Sequence, residues 1–308
     1  MSFFAPPEDI QADLFARLPD GFRKQGQTPE WAVVNRGGQA IDSFLEGPAF
    51  DAAGNLYFVD IAWGRIFRAS PSGAIDLVAE YDGEPNGLKV MADGSLLVAD
   101  YKHGIMAIDP ASGAVTPHCT RHRLEAFKGV NDLTIGRDGT VWFTDQGQTG
   151  LQDPTGRVFR LAPDGRLDLF LGGIPSPNGL VLAGDEGILY VAVTRANAIW
   201  RAPVMPDGGP SKVGVFIQLS GGLGGPDGLA MTADGGLVVA HAGLGTVWIF
   251  SPLGEPLYRV RTPQGLMTTN IAFGGPDNRD LYITESATGQ ILKARVPVAG
   301  MRLAHLDL

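Results

Sequence analysis

Short apolar runs, each closed by a glycine turn and answered by a second apolar run, recur six times along this chain. The first runs are EGPAF (Glu46 to Phe50), NGLKV (Asn86 to Val90), NDLTI (Asn131 to Ile135), NGLVL (Asn178 to Leu182), DGLAM (Asp227 to Met231) and TNIAF (Thr269 to Phe273). The second runs are NLYFVD, SLLVAD, TVWFTD, ILYVAV, GLVVAH and DLYITE. Runs this short, rich in β-branched and aromatic residues and bounded by glycine, read as strands joined by tight turns. Third strands follow, such as GRIFRAS from Gly64 and GTVWIFSP from Gly245, and weaker outer ones such as IDLVAEY from Ile75. The turn glycines Gly54, Gly94, Gly139, Gly187 and Gly235 are 40, 45, 48 and 48 residues apart. A period of about 40 to 50 residues with no helix inside it predicts a β-propeller, one four-stranded sheet per period. Six periods predict six blades in an all-β fold; a β-sandwich is the weaker alternative.

The pattern departs from this period at both ends. Ile10, Leu14, Phe15 and Leu18 fall on one helical face, and Pro19-Asp20-Gly21 stops the run, which predicts a short helix in an N-terminal arm over residues 1–28. The propeller domain is then 29–308. EWAVVNRGG from Glu30 alternates like a strand yet has no blade of its own, while blade six lacks a clear fourth strand. Pairing the strand from Trp31 to Asn35 with blade six closes the ring and removes an open sheet edge. The tail from Gly300 to Leu308 is the competitor for that edge.

Composition narrows the function class. With 308 residues, 44% of them hydrophobic and 19% charged, the chain holds a substantial core. Its 43 glycines and 22 prolines suit many turns. A net charge of −9 and a pI near 5.0 argue against nucleic acid or an anionic membrane as a partner. A single cysteine, Cys119, leaves no internal disulfide. With no basic and apolar leader at the N-terminus, this places the expected location in the cytoplasm.

In a propeller the first strand of each blade lines the central axis, so equivalent residues of six blades form one ring. Those residues are Glu46, Asn86, Asn131, Asn178, Asp227 and Thr269. Polar groups where apolar atoms usually sit need partners. Either they ring ordered water, or they hold a cation, for carboxylates and carboxamides are the ligands of a hard ion.

These motifs, with GVNDL, SPNGL, GPDGL and AFGGPD…LYIT in this order and at blade spacing, resemble the senescence marker protein (regucalcin)/gluconolactonase family of six-bladed propellers over residues 30 to 297. The resemblance implies one divalent cation, Ca²⁺ first and Mg²⁺, Mn²⁺ or Zn²⁺ as alternatives, held by Glu46, Asn131, Asn178 and Asp227. It implies a small, sugar-acid-like lactone as substrate, which Asn131 and Asp132 are expected to face; the two ring positions left over, Asn86 and Thr269, read as groups that face the substrate or support the ligands. Two departures stand out. Gly129 occupies the place of an arginine found in regucalcin-type sugar lactonases, and Ala230 that of an aspartate that helps hold a second ion in the related diisopropyl fluorophosphatase.

The chemistry implied is metal-assisted hydrolysis, the ion polarising the lactone carbonyl and an aspartate activating water. Asp227 and Asp132 are the candidate bases. Strand alternation points Asp132 away from Asn131 toward the neighbouring blade, which puts Asp227 first. The chain has no G-x-S-x-G, so a serine nucleophile is not indicated. The competing readings are a phosphotriesterase-like hydrolase and a non-catalytic binding propeller with a structural ion. His103, His241, Trp63, Tyr101 and the long loop from Gln146 to Gly156 fall at the metal end of the ring, where they read as rim residues, the histidines as packing groups. Cys119 reads as an inert thiol.

Overall fold

A computed structural model describes residues 4–303 and 306. Six antiparallel sheets surround one axis, and a separate two-stranded hairpin, Arg121–His122 with Glu125–Ala126, lies outside them. The inner strands are Leu45–Phe50, Pro85–Val90, Val130–Ile135, Pro177–Leu182, Gly225–Met231 and Thr268–Gly274. Each packs against the next, and the sixth returns to the first, so the ring is closed. The predicted six blades of four strands are present.

The apolar side chains gather into six clusters, one in each wedge between adjacent blades. Leu45, Phe58 and Phe67 of blade one, for example, pack with Tyr282 and Ile291 of blade six. Because the wedges take the hydrophobic burial, the axis is left to polar groups. Among the described residues no helix is long and apolar enough to cross a membrane.

An N-terminal strand closes the ring, but a different one from that expected. Asp13–Arg17 pairs antiparallel with Gln290–Arg295 as the outer strand of blade six. Glu8–Gln11 adds a parallel fifth strand to the outer edge of blade five. The expected helix over Pro7 to Leu18 is therefore replaced by two strands. Its apparent face is buried only in part: Leu18 is buried but Leu14 is exposed, whereas Ala12 and Ala16, off that face, are buried. Two open sheet edges offer this segment backbone partners that no short helix can match.

Trp31 to Asn35, expected as the closing strand, belongs to the helix Glu30–Asn35. Trp31 and Ala32 are buried while Val33 and Val34 are exposed, a turn of helix rather than alternation. Pro29 precedes the first turn, and the Asn35 Nδ2 donates to the Trp31 carbonyl at 3.0 Å. Near the C-terminus, Gly300 bridges Thr232, and the Met301 amide donates to the Met231 carbonyl at 2.9 Å. The tail thus meets blade five, and residues 304, 305, 307 and 308 of that segment lie outside the described residues.

The acidic ends of several second strands are structural. Asp60 Oδ1 accepts the Phe44 amide at 2.8 Å, and Asp100 Oδ2 accepts the Glu84 amide at 3.0 Å. Asp145 Oδ1 accepts the Lys128 and Gly129 amides at 2.7 and 2.9 Å, and Glu285 Oε1 accepts Met267 at 2.9 Å. Each carboxylate pins the loop that delivers its blade's inner strand to the axis. Asp60 also pairs with buried Arg65, yet burial still raises its pKa to about 6.

Candidate active site and metal centre

Every inner strand carries the same irregularity. In blade one Glu46 faces Val59 and Ala49 faces Tyr57, so three steps on the inner strand match two on its neighbour. The equivalent shift occurs in the other five blades. This β-bulge inserts one residue and breaks simple alternation. The residue just before the inserted one forms the expected ring, and all six are buried.

The next row is glycine in four blades (Gly47, Gly87, Gly179 and Gly228) and carries a side chain only at Asp132 and Asn270. A Cβ on Gly87 would lie 2.3 Å from Asp132 Oδ1, and one on Gly228 would lie 2.1 Å from Asn270 Oδ1. The glycines thus make room for these two side chains. Asp132 does lie over blade two, as alternation suggested, but it is not removed from the ring, for its charge acts on both Glu46 and Asp227.

Hydrogen bonds orient the cluster. Glu46 Oε2 accepts the Gly47 amide at 2.8 Å and Asn270 Nδ2 at 2.9 Å. Asp132 Oδ1 accepts the Leu133 amide at 2.8 Å, and Asn270 also hydrogen-bonds Asp132. Asn178 hydrogen-bonds Asp227. Asn131 Nδ2 donates to Gln146 Oε1 at 3.0 Å, and Gln146 in turn donates to Ser176 Oγ at 3.0 Å. That chain fixes the Asn131 carboxamide and leaves its Oδ1 buried with no hydrogen-bond partner. The Asn86 carboxamide makes no hydrogen bond among the described residues.

Thr269 stands apart. Its hydroxyl donates to the Leu45 carbonyl at 2.8 Å and lies 2.9 and 3.1 Å from the Thr284 and Ser286 hydroxyls, at the seam between blades six and one. Asn270, which sequence reasoning missed, is the blade-six side chain that reaches the acids. Aligning TTNIAF with VNDLTI puts it level with Asp132, which was the available signal.

No cation stands within ion-pair distance of Glu46, Asp132 or Asp227 among the described residues. Burial and the Asp132 charge raise the Glu46 pKa to about 8. Burial, then Glu46 and Asp132, hold Asp227 well above the usual carboxylate range. Burial raises Asp132 too, opposed by Lys89, the Leu133 amide and Asn270. Among the described residues no three His, Cys, Asp or Glu side chains form a metal cluster by themselves. The expected ligand set, however, has only two acids and is completed by carboxamides. The orphaned Asn131 Oδ1 beside uncompensated buried carboxylates fits a hard oxygen-liganded cation.

The rim is built from loops. Gln148 Nε2 donates to Asn35 Oδ1 and to the Tyr101 hydroxyl, both at 2.9 Å, tying the blade-three loop to the N-terminal helix and to blade two. The Tyr101 ring also covers Gly129, where an added Cβ would lie 2.5 Å from the ring. Trp63 packs against the wedge between blades one and two. His103 bonds the Asp82 carbonyl at 2.6 Å, on the surface. His241 lies within a strand, fully buried, and Trp248 Nε1 donates to its Nδ1 at 3.2 Å. Cys119 is half-buried, and burial pushes its thiol up. Ala230 packs in the wedge between blades five and six.

Known proteins share this plan. A gluconolactonase of Zymomonas mobilis is 32% identical over 288 residues, 83% of this chain and 79% of that one. The lactonase drp35 of Staphylococcus aureus is 30% identical over 244 residues, 71% of this chain and 70% of that one. A solved calcium-binding protein, regucalcin of Agrobacterium tumefaciens, superposes with a TM-score of 0.76 at 23% identity, over 96% of this chain and 97% of that one. The family model described as SMP-30/Gluconolactonase/LRE-like region matches residues 44–287, from the loop entering blade one to the turn after the second strand of blade six, and the chain belongs to that family.

Proposed function

We propose that this chain is a divalent-metal-dependent lactonase that opens a small, sugar-acid-like lactone. The observation that supports it best is the buried set of Glu46, Asp227 and the unpaired Asn131 Oδ1, which has no protein cation to balance it. Relatives named gluconolactonase and lactonase point to the same ester chemistry. Glu46, Asn131, Asn178 and Asp227 would hold the ion, Ca²⁺ first. Bound there, a hard cation supplies Lewis acidity for the lactone carbonyl and for the oxyanion that develops on it.

The protein groups divide the remaining work. Asp227 accepts a proton from the water that attacks the carbonyl carbon. It feels the rim residue Arg195, whereas Asp132 feels Lys89, whose side chain hydrogen-bonds the Leu88 carbonyl within the inner strand of blade two. Asp227 stands in the ring row itself, whereas Asp132 lies one residue further along its inner strand. Asp132, held by Leu133 and Asn270, keeps Glu46 and the substrate oriented. Asn86, free to bond, contacts the ring hydroxyls or ester of the substrate.

The test is turnover of neutral sugar lactones and of phosphotriesters by chelator-stripped protein before and after Ca²⁺, Mg²⁺, Mn²⁺ or Zn²⁺ is returned. Metal-restored lactone opening is expected. Turnover of phosphotriesters alone would favour the phosphotriesterase reading, and no turnover of either a binding propeller.

A further inference from the structure

In every blade one second-strand residue lies opposite the residue just before the ring position. In four blades that residue is a carboxylate, namely Asp60, Asp100, Asp145 and Glu285, opposite Leu45, Pro85, Val130 and Thr268. Each accepts an amide of the loop entering its inner strand. Blade four has Val193 opposite Pro177, and there Thr149 Oγ1 of blade three accepts the Ser176 amide at 3.1 Å. Blade five has His241 opposite Pro226. The exception therefore falls beside Asp227, the proposed base.

His241 is fully buried, and the Thr268 hydroxyl donates to its carbonyl at 2.9 Å. Trp248 Nε1 can only donate and does so to Nδ1, so the proton of the neutral imidazole sits on Nε2. That Nε2–H meets the backbone of the loop entering blade five: a Cβ on Gly222 would lie 2.7 Å from it. It has no other partner among the described residues, and its contact with the Gly221 backbone falls short of good hydrogen-bond geometry. The Gly221 carbonyl also accepts Asn197 Nδ2 of blade four at 3.0 Å, and Asn197 Oδ1 is buried there without a partner. A histidine donates where a carboxylate accepts, so this loop turns a carbonyl toward its strand end. Gly221 and Gly222, at φ of 76° and 81°, allow that reversal. Little else holds the loop. Ser220 to Leu223 are exposed, and the one backbone hydrogen bond of residues 220–224 runs from the Leu223 amide to the Gly243 carbonyl at 3.2 Å.

We propose that His241 is a positioning residue for the reaction: its Nε2–H seats the glycine loop of blade five and thereby fixes where Asp227 stands in the ring. The assignment rests on the lactonase reading and adds a residue to its machinery that touches neither substrate nor ion. Position 241 needs a neutral donor. A carboxylate would set its own oxygens against the Gly221 carbonyl, and an apolar side chain would leave the loop to Asn197 and one long backbone bond.

The experiment measures kcat and KM on metal-loaded wild type, His241→Leu, His241→Gln and Gly222→Ala, beside the rate at which thermolysin cuts before Leu223. Leu223 is 86% exposed, so that rate reads the hold on the loop without any turnover; Leu124, 94% exposed on the separate hairpin, is the control. Gly222→Ala lifts the loop off the imidazole from the exposed side, and so still decides the matter if His241→Leu fails to fold. Both variants should speed the cut at Leu223 and lower kcat by about tenfold each, with KM within about twofold and the cut at Leu124 unchanged. His241→Gln keeps a donor for the loop and an acceptor for Trp248, and should recover most of both losses. An unchanged cut at Leu223 in both variants overturns the seat whatever happens to kcat. A faster cut with unaltered kcat, or a loss that Gln does not repair, overturns the positioning role. If the wild type opens no lactone, the lactonase reading fails by itself: a faster cut repaired by Gln still supports the seat, and an unchanged cut overturns it.

Discussion

At the residue scale, each group at the axis makes a separable prediction. Asn178→Ala and Asn131→Ala remove proposed ligand oxygens and should weaken Ca²⁺ binding strongly, whereas Asn86→Ala should leave the ion bound; calorimetry with Ca²⁺ reads this directly. Asp227→Asn keeps a ligand oxygen but loses the basic carboxylate. With metal occupancy measured and saturated, kcat should fall by at least ~10²-fold, and Asp132→Asn should cost less. A near-normal Asp227→Asn beside an inactive Asp132→Asn would reverse the two roles. Acidity adds a further check on the metal-free protein. Glu46 has a folded pKa of about 8, above its ordinary 4.5, so the native state binds more protons than the unfolded chain between those values. Stability of the apo protein should therefore fall as pH rises through that window. Ca²⁺ affinity should rise over the same window, because the ligand must be deprotonated. Melting curves at pH 5 and pH 8, with chelator and with Ca²⁺, show both slopes.

At the element scale, ring closure depends on ten N-terminal residues rather than on a long segment. Asp13–Arg17 completes blade six and Glu8–Gln11 covers the edge of blade five. Removing residues 1–7 should leave the melting temperature nearly unchanged. Removing 1–17 exposes two sheet edges and the Ala12, Ala16 and Leu18 contacts, and should cause aggregation or a large loss of stability. A soluble, cooperatively melting 18–308 chain would contradict this. The helix Glu30–Asn35 has a different duty: it ties the N-terminal segment to the blade-three loop, Asn35 Oδ1 accepting from Gln148 Nε2. Disrupting it should alter substrate handling more than global stability.

At the scale of the whole molecule, the arrangement separates stability from chemistry. Six apolar wedges hold the blades together, so the axis can carry acids that would be costly inside a single central core. Truncating a wedge residue such as Phe143, fully buried between blades two and three, should cost about 3–5 kcal/mol in denaturant unfolding. A bound ion adds to that stability by mass action. At a Ca²⁺ concentration a hundred times its Kd, the gain is about 2.7 kcal/mol, which chelation should remove as a lower melting temperature.

The sequence by itself determined the blades, their number and the ring. Strand–turn–strand units repeating every 40 to 50 residues are local signals, and repetition multiplies them until only a propeller satisfies all six. It also located Glu46, Asn131, Asn178 and Asp227 at equivalent positions, because equivalence under a repeat needs no coordinates. What it did not reveal depends on contacts distant along the chain. Asp13–Arg17 is a strand because blade six, nearly 280 residues away, leaves an edge unpaired, while its own pattern reads as helical. The stretch from Trp31 alternates on paper but coils, since its partners are Phe44 and the rim rather than a sheet. Asn270 and Asp132 join the acids because bulges break the alternation and glycines of neighbouring blades clear the space. Those are decisions of tertiary packing, where an edge, a void or an unpaired charge in one blade is answered by a residue of another.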